Sequence, residues 1–173
     1  ESAQAARNLA PNDIDILIWF AQKLYDLQNR IGVYLPNAHE EAVQALEKAT
    51  RQAIDQAPLL VRLGQIQMQM DETSAARQTF RRLTGEVEDD LPAMPINASA
   101  SDLERAANGL LGLGDAPAAA ICLERALQVY SGDQPKPNAY GRYDTPSRLE
   151  LLTSLAKAYY LAGQPDESLK TLD

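Results

Sequence analysis

A spacing of large and small residues recurs along this chain and limits the folds that it can adopt. The spacing is clearest in residues 149–173, where large residues at helical intervals are followed by Gly163 and by a second amphipathic segment. The same order begins again at three leucines upstream, so the starting sites are 17, 60, 103 and 152 and the intervals are 43, 43 and 49 residues. Recurrence of one pattern along a chain is typical of stacked helix-turn-helix units, in which each unit buries its apolar face against its neighbours, and intervals of this length leave room for insertions beyond a unit of about 34 residues.

The alternation of sizes predicts how the helices of one unit pack together. Small residues recur at one site of the first helix, namely Ala21, Gly64, Ala107 and Ala156. Small residues also recur at one site of the second helix, namely Ala42, Ala76, Ala119 and Ser168. When two small residues face each other, paired helices can approach closely, and larger neighbours fill the space between adjacent pairs. We assign that filling role to Phe20, Leu63, Phe80 and Tyr159.

Apolar residues spaced three and four apart predict nine helices and no strand. The helices are expected near residues 2–10, 14–30, 39–56, 58–70, 73–84, 100–113, 116–130, 146–162 and 165–172. Pro117 and Pro165 fall in the first turns of their helices, where a missing N–H group costs little. We expect Asp115 to cap the seventh helix, and Thr145 or Pro146 to open the eighth.

This order of large and small sites resembles the tetratricopeptide repeat. The resemblance implies an all-α fold, a right-handed α-solenoid of antiparallel helix pairs with about four repeats and a partial N-terminal helix. Residues 1–173 would then form a single solenoid, and because both ends fall inside second helices we expect a fragment of a longer array. Its parts are the end of a preceding repeat (1–13), a repeat with an inter-helix insertion (14–57), a repeat with an acidic loop (58–99), a repeat with a proline- and tyrosine-rich loop (100–145) and an incomplete repeat (146–173).

Composition narrows the classes of partner and of chemistry. The chain has 16 Lys and Arg against 24 Asp and Glu, a formal net charge of −8, which argues against nucleic acid as the main partner. With one cysteine, Cys122, and one histidine, His39, we expect no disulfide framework, no metal site and no cofactor. No apolar run is long enough for a membrane span. No nucleophile stands at a readable spacing from a base, so we expect no enzyme activity.

The resemblance also implies where a protein or peptide partner would bind. In that family the concave surface lined by the first helix of each pair is the binding groove. The groove residues that we assign on this basis are Arg62, Gln65, Gln69, Arg105, Asn108, Lys157 and Tyr160. The family's clamp for a terminal carboxylate would need Lys, Asn and Arg at matching sites, and only Asn108 agrees. We therefore expect a peptide groove without a carboxylate clamp.

Two loops leave alternatives open. The segment 131–147 holds Tyr140, Arg142 and Tyr143, side chains that are enriched in binding hot spots and that also stack on sugars. It would bind a polysaccharide or a partner, or it is a connector whose tyrosines pack back onto the array. The apolar loop 32–36 would either cover Trp19 or contact a partner.

The role of the whole protein stays open between three hypotheses. The first is a scaffold or adaptor for partner proteins. The second is a carbohydrate-binding domain of a bacterial export system, because the Ala-, Gln- and Arg-rich style is similar to bacterial assembly arrays, including the periplasmic arrays of exopolysaccharide export. The third is a sensor or regulatory segment of a larger protein. The second hypothesis favours the periplasm or cell envelope over the cytoplasm as the compartment.

Overall fold

The computed structural model describes residues 2–32, 37–53, 56–85, 97–130 and 146–172, with the side chains of residues 2–4 excepted. Within these ranges the secondary structure is helical and contains no strand. The helices are α1 (Ser2–Leu9), α2 (Ile14–Asn29), α3 (Ala38–Gln52), α4 (Ala57–Gln69), α5 (Thr73–Arg81), α6 (Ala100–Gly112), α7 (Ala116–Val129), α8 (Arg148–Leu161) and α9 (Pro165–Leu172). A short 3-10 helix, Arg82–Thr84, continues α5.

The helices form consecutive antiparallel pairs, α2 with α3, α4 with α5, α6 with α7 and α8 with α9. Each pair packs on the next, and α1 packs on the first pair. The first helices α2, α4 and α6 begin at residues 14, 57 and 100, which reproduces the 43-residue interval of the sequence. The predicted all-α helical solenoid is therefore confirmed.

The small residues that the sequence assigned to the helix contacts are buried. All six alanines of that set have at most 4% of their surface exposed. In the last pair, the hydroxyl of Ser168 donates a hydrogen bond of 2.7 Å to the carbonyl oxygen of Ala156. Small side chains thus bring α8 and α9 close enough for a side chain of one helix to reach the backbone of the other.

The ring of Phe80 on α5 lies between two glycines of neighbouring first helices. A β-carbon built at Gly64 on α4 would stand 2.6 Å from the ring, and one built at Gly109 on α6 would stand 2.5 Å from it. Only glycine leaves room for an aromatic ring at both positions. The packing of Phe80 therefore explains why a glycine stands at position 109 inside a helix.

A cation at one repeated site joins each second helix to the preceding one. Six residues after the small residues Ala42, Ala76 and Ala119 stand Lys48, Arg82 and Arg125. Their side chains donate to the backbone carbonyl oxygens of Pro11, Thr50 and Leu83. We call Lys48, Arg82 and Arg125 the cation row. Each of these carbonyls lies at or beyond the end of a helix or in the 3-10 turn, where no N–H group of the helix is available as a donor. The cation row therefore supplies hydrogen-bond donors to carbonyl oxygens that would otherwise lack them.

Three predicted helix boundaries need correction. The helix α3 ends at Gln52, four residues before the predicted end, and α5 gives way to the 3-10 helix after Arg81. The helix α8 begins after Ser147, which is the N-cap residue where the sequence predicted Thr145 or Pro146. The hydroxyl and backbone N–H of Ser147 both donate to the side chain of Glu150. Such a reciprocal pair, Ser followed three residues later by Glu, is a capping box.

Asp115 precedes α7 as predicted, but its side chain makes no capping hydrogen bond. Its carboxylate instead accepts a hydrogen bond of 2.6 Å from Nε of Arg81 in the previous repeat. The carboxylate side chain is 6% exposed. A buried carboxylate gains more from a full opposite charge than from one backbone N–H group, so the tertiary partner takes precedence over the local one.

Candidate functional site

The predicted groove residues all lie on first helices and are all exposed. Arg62, Gln65 and Gln69 are on α4, Arg105 and Asn108 on α6, and Lys157 and Tyr160 on α8. Tyr160 keeps 69% of its surface in solvent. We call the surface that these helices share with α2 the first-helix face. The structure therefore places all seven predicted residues, exposed, on the first helices of three successive pairs, and whether a partner binds there remains a prediction.

An ion pair joins the first two helices of this face. The guanidinium of Arg62 on α4 lies 3.3 Å from the carboxylate of Asp15 on α2. Asp15 was not among the predicted site residues. Because both side chains are largely exposed, the pair contributes little to stability but does neutralise both charges.

Met68 on α4 lies close to Gly112 on α6, the next first helix. A β-carbon built at Gly112 would stand 3.4 Å from the methyl group of Met68, so an alanine there would be in van der Waals contact with it. The helices α4 and α6 pack against each other. Residues at equivalent positions on successive first helices define rows.

Carboxamides form one such row. Gln22, Gln65 and Asn108 occupy equivalent positions, since they are separated by 43 residues each. Gln65 lies three residues after Arg62 and three before Met68, so it falls on the same stripe of α4 as both inter-helix contacts. We call Gln22, Gln65 and Asn108 the amide row. Gln22 was missed at the sequence level, although the 43-residue interval from Gln65 could have identified it.

The carboxyl group of Glu104 has an unusual environment on this face. Burial in α6 raises the pKa of Glu104, the nearby carboxylate of Glu150 raises it further, and the adjacent Arg105 opposes both effects. The pKa of Glu150 itself is lowered by the hydrogen bonds from the backbone and hydroxyl of Ser147. Glu150 therefore stays ionised in the capping box. When Glu104 is ionised as well, the two carboxylates repel each other, and this repulsion favours the protonated form of Glu104.

The charges that we assign to the first-helix face balance each other. They are Asp15, Glu104 and Glu150 on the acidic side and Arg62, Arg105 and Lys157 on the basic side. The chain as a whole has a net charge of −8, so most of its excess acidity lies elsewhere. This face therefore presents no single-sign field to a ligand.

Other polar contacts hold neighbouring helices together. Tyr159 donates a hydrogen bond to Glu124, and burial together with that carboxylate raises the pKa of Tyr159 to about 12. Near α1, a surface cavity of about 480 Å³ is lined by Arg7, Asn8, Pro11, Leu17, Glu41, Gln44, Ala45 and Lys48. Its two cations are already engaged, Arg7 with Glu41 and Lys48 with a backbone carbonyl.

The remaining candidate residues, Cys122 and His39, are not arranged for catalysis with other side chains in the described part of the chain. Cys122 is buried in α7. His39 is exposed at the start of α3, and its Nε2 lies 2.9 Å from the carboxylate of Glu72 in the next repeat. No group of three or more metal-ligating side chains occurs within the described ranges. None of the helices described is both long and apolar enough to cross a bilayer.

Both loops that left alternatives open fall partly or wholly outside the described residues. Tyr140, Arg142 and Tyr143 lie outside them, as does the acidic segment 86–90. Residues 33–36, which would cover Trp19, lie outside them as well. Trp19 itself is 37% exposed. Polysaccharide binding by the tyrosine loop and coverage of Trp19 therefore stay predictions.

Comparison with known proteins agrees with this architecture. Residues 36–94 match a family described as tetratricopeptide repeat. Two solved structures, described as crystal structures of MamA, are similar in fold to 98% of this chain, each with a TM-score of 0.53 and 18% sequence identity. The similarity covers 75% of one of those chains and 80% of the other. No curated protein sequence matches this chain.

The matched segment spans α3, α4 and α5, and it therefore crosses from one helix pair into the next. The pairs that follow repeat the large and small sites, and the alanines at their small sites are buried. Residues 36–94 therefore match the tetratricopeptide repeat in sequence, and the helical solenoid of the described residues is similar in fold to the two MamA structures.

Proposed function

We propose that this protein is a non-enzymatic interaction scaffold that binds a partner protein or peptide along the first-helix face. Tetratricopeptide repeats and their structural neighbours support a protein-interaction scaffold in general terms. The observation that carries the more specific proposal is the grouping of all seven predicted groove residues, exposed, on three adjacent first helices. Side chains on a rigid scaffold that serve no packing role are the ones available to a partner.

The structure of the second helices supports the choice of face. Their repeated cations reach back to the preceding repeat, and Arg81 and Asp115 pair across repeats. Those side chains are used in holding the array together. The first-helix face, in contrast, offers Lys157 and Tyr160 at its C-terminal end, with Tyr160 as the most exposed aromatic side chain described. Exposed aromatic residues beside a charge are typical of interface anchors.

The test is affinity capture from the native lysate followed by mass spectrometry. The wild-type protein is compared with Lys157→Glu/Tyr160→Ala and with a matched control, Arg51→Glu/Val129→Ala, whose residues are exposed on second helices. A protein retained by wild type and control but lost from the Lys157/Tyr160 variant is the expected result. Equal retention by all three proteins would contradict the assignment of the face.

A further inference from the structure

We infer that the surface cavity between α1 and α3 binds a small organic anion, a carboxylate with an apolar body, through Arg7 and Lys48. This inference goes beyond the proposed function, which concerns a macromolecular partner on the first-helix face. The cavity has a volume of about 480 Å³, which is within the range of small-molecule sites. Its walls are formed by α1, by Pro11 in the turn that follows α1, by Leu17 on α2 and by α3.

The cavity combines apolar and charged groups, as small-molecule sites do. Leu17 and Ala45 are buried and form its apolar part. The charged side chains that line it are Arg7, Lys48 and Glu41. Two cations and one carboxylate leave one positive charge in excess, although the chain as a whole has a net charge of −8. A ligand with one negative charge therefore matches the cavity better than a neutral ligand does.

The two cations are held in position by contacts that leave further donors for a ligand. The guanidinium carbon of Arg7 lies 4.8 Å from the centre of the Phe20 ring, and Nη1 lies 3.5 Å from the carboxylate of Glu41. Nζ of Lys48 donates to the carbonyl oxygen of Pro11 at 2.6 Å. Within the described ranges each cation thus has one hydrogen-bond acceptor, whereas a guanidinium has five N–H donors and an ammonium has three. Both cations can bind an anion and keep the contacts that position them.

The repeat register indicates that helix packing does not require the charged pair at this cavity. One interval of 43 residues after Arg7 stands Thr50. Glu41 directly precedes the small residue of α3, and the residues that precede the small residues of α5 and α7 are Ala75 and Ala118. Ala118 is 5% exposed, so a short side chain fills this position in the packed array. The ion pair of Arg7 with Glu41 is also partly exposed and contributes little to stability.

These groups define the chemistry of the ligand. A planar carboxylate matches the donor geometry of a guanidinium, and the ammonium of Lys48 adds a second positive charge. The carboxamides of Asn8 and Gln44 also line the cavity and can donate N–H groups to a carboxylate oxygen. A phosphate monoester carries up to two negative charges near neutral pH, which exceeds the single excess charge of the cavity. A monocarboxylate whose apolar body lies against Leu17 and Ala45 therefore fits best.

The experiment is a titration of the intact protein with benzoate and with hexanoate, followed by the NMR chemical shifts of the backbone amides. Benzyl alcohol and hexanol, which have the same apolar bodies and no charge, are the control ligands. We expect saturable shifts with the two carboxylates, confined to α1, α3 and the start of α2, and no such shifts with the alcohols at the same concentrations. Shifts that stay linear, that spread over the chain or that are equal for acids and alcohols would overturn the inference.

Variants test which side chains hold the anion. Arg7→Gln and Lys48→Gln each remove a positive charge, and each is expected to weaken carboxylate binding about threefold to tenfold. Arg7→Lys keeps the charge without the planar pair of donors, so it should retain part of the affinity. The control is Arg51→Gln, which changes the net charge equally at an exposed position of α3 outside the cavity and should leave the affinity unchanged.

Melting temperatures of all variants are measured alongside, and equal values show that folding is not the cause of weaker binding. Equal weakening by Arg51→Gln would mean that the anions respond only to the net charge of the protein, and the inference would then be wrong. Unchanged affinity in both Arg7→Gln and Lys48→Gln would overturn it as well. Neither result bears on capture of a partner through Lys157 and Tyr160, because those residues lie on α8.

Discussion

The ring of Phe80 occupies the space in which a β-carbon of Gly109 would lie, 2.5 Å from that position. The two residues belong to different repeats, since Phe80 is on the second helix α5 and Gly109 on the first helix α6. On its other side the ring meets Gly64 in the same way, at 2.6 Å. One aromatic side chain therefore sets how closely two consecutive first helices approach, and through them the spacing of the first-helix face.

The Gly109→Ala variant tests this contact. An alanine inside a helix normally stabilises it by up to about 1 kcal/mol relative to glycine. Here the added methyl group meets a ring that cannot retreat because Gly64 bounds its other side, so we expect net destabilisation of about 1–3 kcal/mol by urea unfolding.

Two further variants serve as controls for this prediction. Gly112→Ala places a β-carbon 3.4 Å from the flexible methyl group of Met68, and it should be neutral or slightly stabilising. Adding Phe80→Leu to Gly109→Ala should recover part of the lost stability, because the ring is removed. Equal effects of the two glycine substitutions would show that Phe80 does not limit the approach of the helices.

The contacts of the cation row predict that Arg125→Met lowers the free energy of unfolding. The substitution keeps the apolar part of the side chain but removes the charged donor to the carbonyl oxygen of Leu83. We expect a loss of about 1–2 kcal/mol in the free energy of unfolding, because a partly buried carbonyl loses its charged partner. Arg105→Met is the matched control, since Arg105 is exposed on the first-helix face, and its effect should stay within about 0.5 kcal/mol. A loss no larger than that of the control would exclude a stabilising role for the contact.

The capping box at the start of α8 predicts that Ser147→Ala destabilises the last repeat. The hydroxyl of Ser147 accepts from the backbone N–H of Glu150 at 3.2 Å, and its removal leaves that group without its cap. We expect a cost of about 1 kcal/mol, measured by thermal unfolding or by hydrogen exchange in α8. Ser154→Ala, within the same helix, is the control and should be neutral. Unchanged exchange rates in the first turn of α8 would contradict the assignment.

The raised pKa of Glu104 predicts a pH-dependent effect of Glu104→Gln. Because burial and Glu150 make the folded protein hold this proton more tightly than the unfolded chain does, ionised Glu104 destabilises the fold. The glutamine variant should therefore be more stable near neutral pH, by less than about 1 kcal/mol since the group is half exposed. The difference should shrink as the pH falls through the folded-state pKa, where wild-type Glu104 becomes neutral as well.

Glu150→Gln is the comparison for Glu104→Gln, and its expected effect on stability near neutral pH has the opposite sign. Hydrogen bonds from Ser147 lower the pKa of Glu150, so its ionised form stabilises the fold above the unfolded-state pKa, and that stabilisation is lost as the pH falls through the folded-state pKa. The variant should be less stable than wild type near neutral pH, with the gap closing in acid. Melting temperatures measured across this range check both signs. Parallel curves for all three proteins would contradict them.

The order of helices, their pairing and the buried small residues were all predictable from the sequence. Local signals are enough for this, because apolar spacing, turn glycines and prolines in first turns act through residues within one or two turns. Because large and small sites recur every 43 residues in the first three repeats, the sequence also predicts which sides of the paired helices contact each other. The exposed groove positions followed from the same register, and Gln22 could have followed too, since it stands 43 residues before Gln65.

The partners of polar side chains were decided by the tertiary structure alone. Asp115 stands at a capping position by sequence, yet it pairs with Arg81 because packing of α5 on the next pair brings a guanidinium within 2.6 Å. Helix packing also places the ring of Phe80 against Gly109 and brings the carboxylate of Asp15 to the guanidinium of Arg62. These choices depend on how close separate helices come and at what angle, and a difference of an ångström decides which donor reaches which acceptor. Periodicity determines which face of a helix is buried, whereas only the assembled array determines what that face and its edges meet.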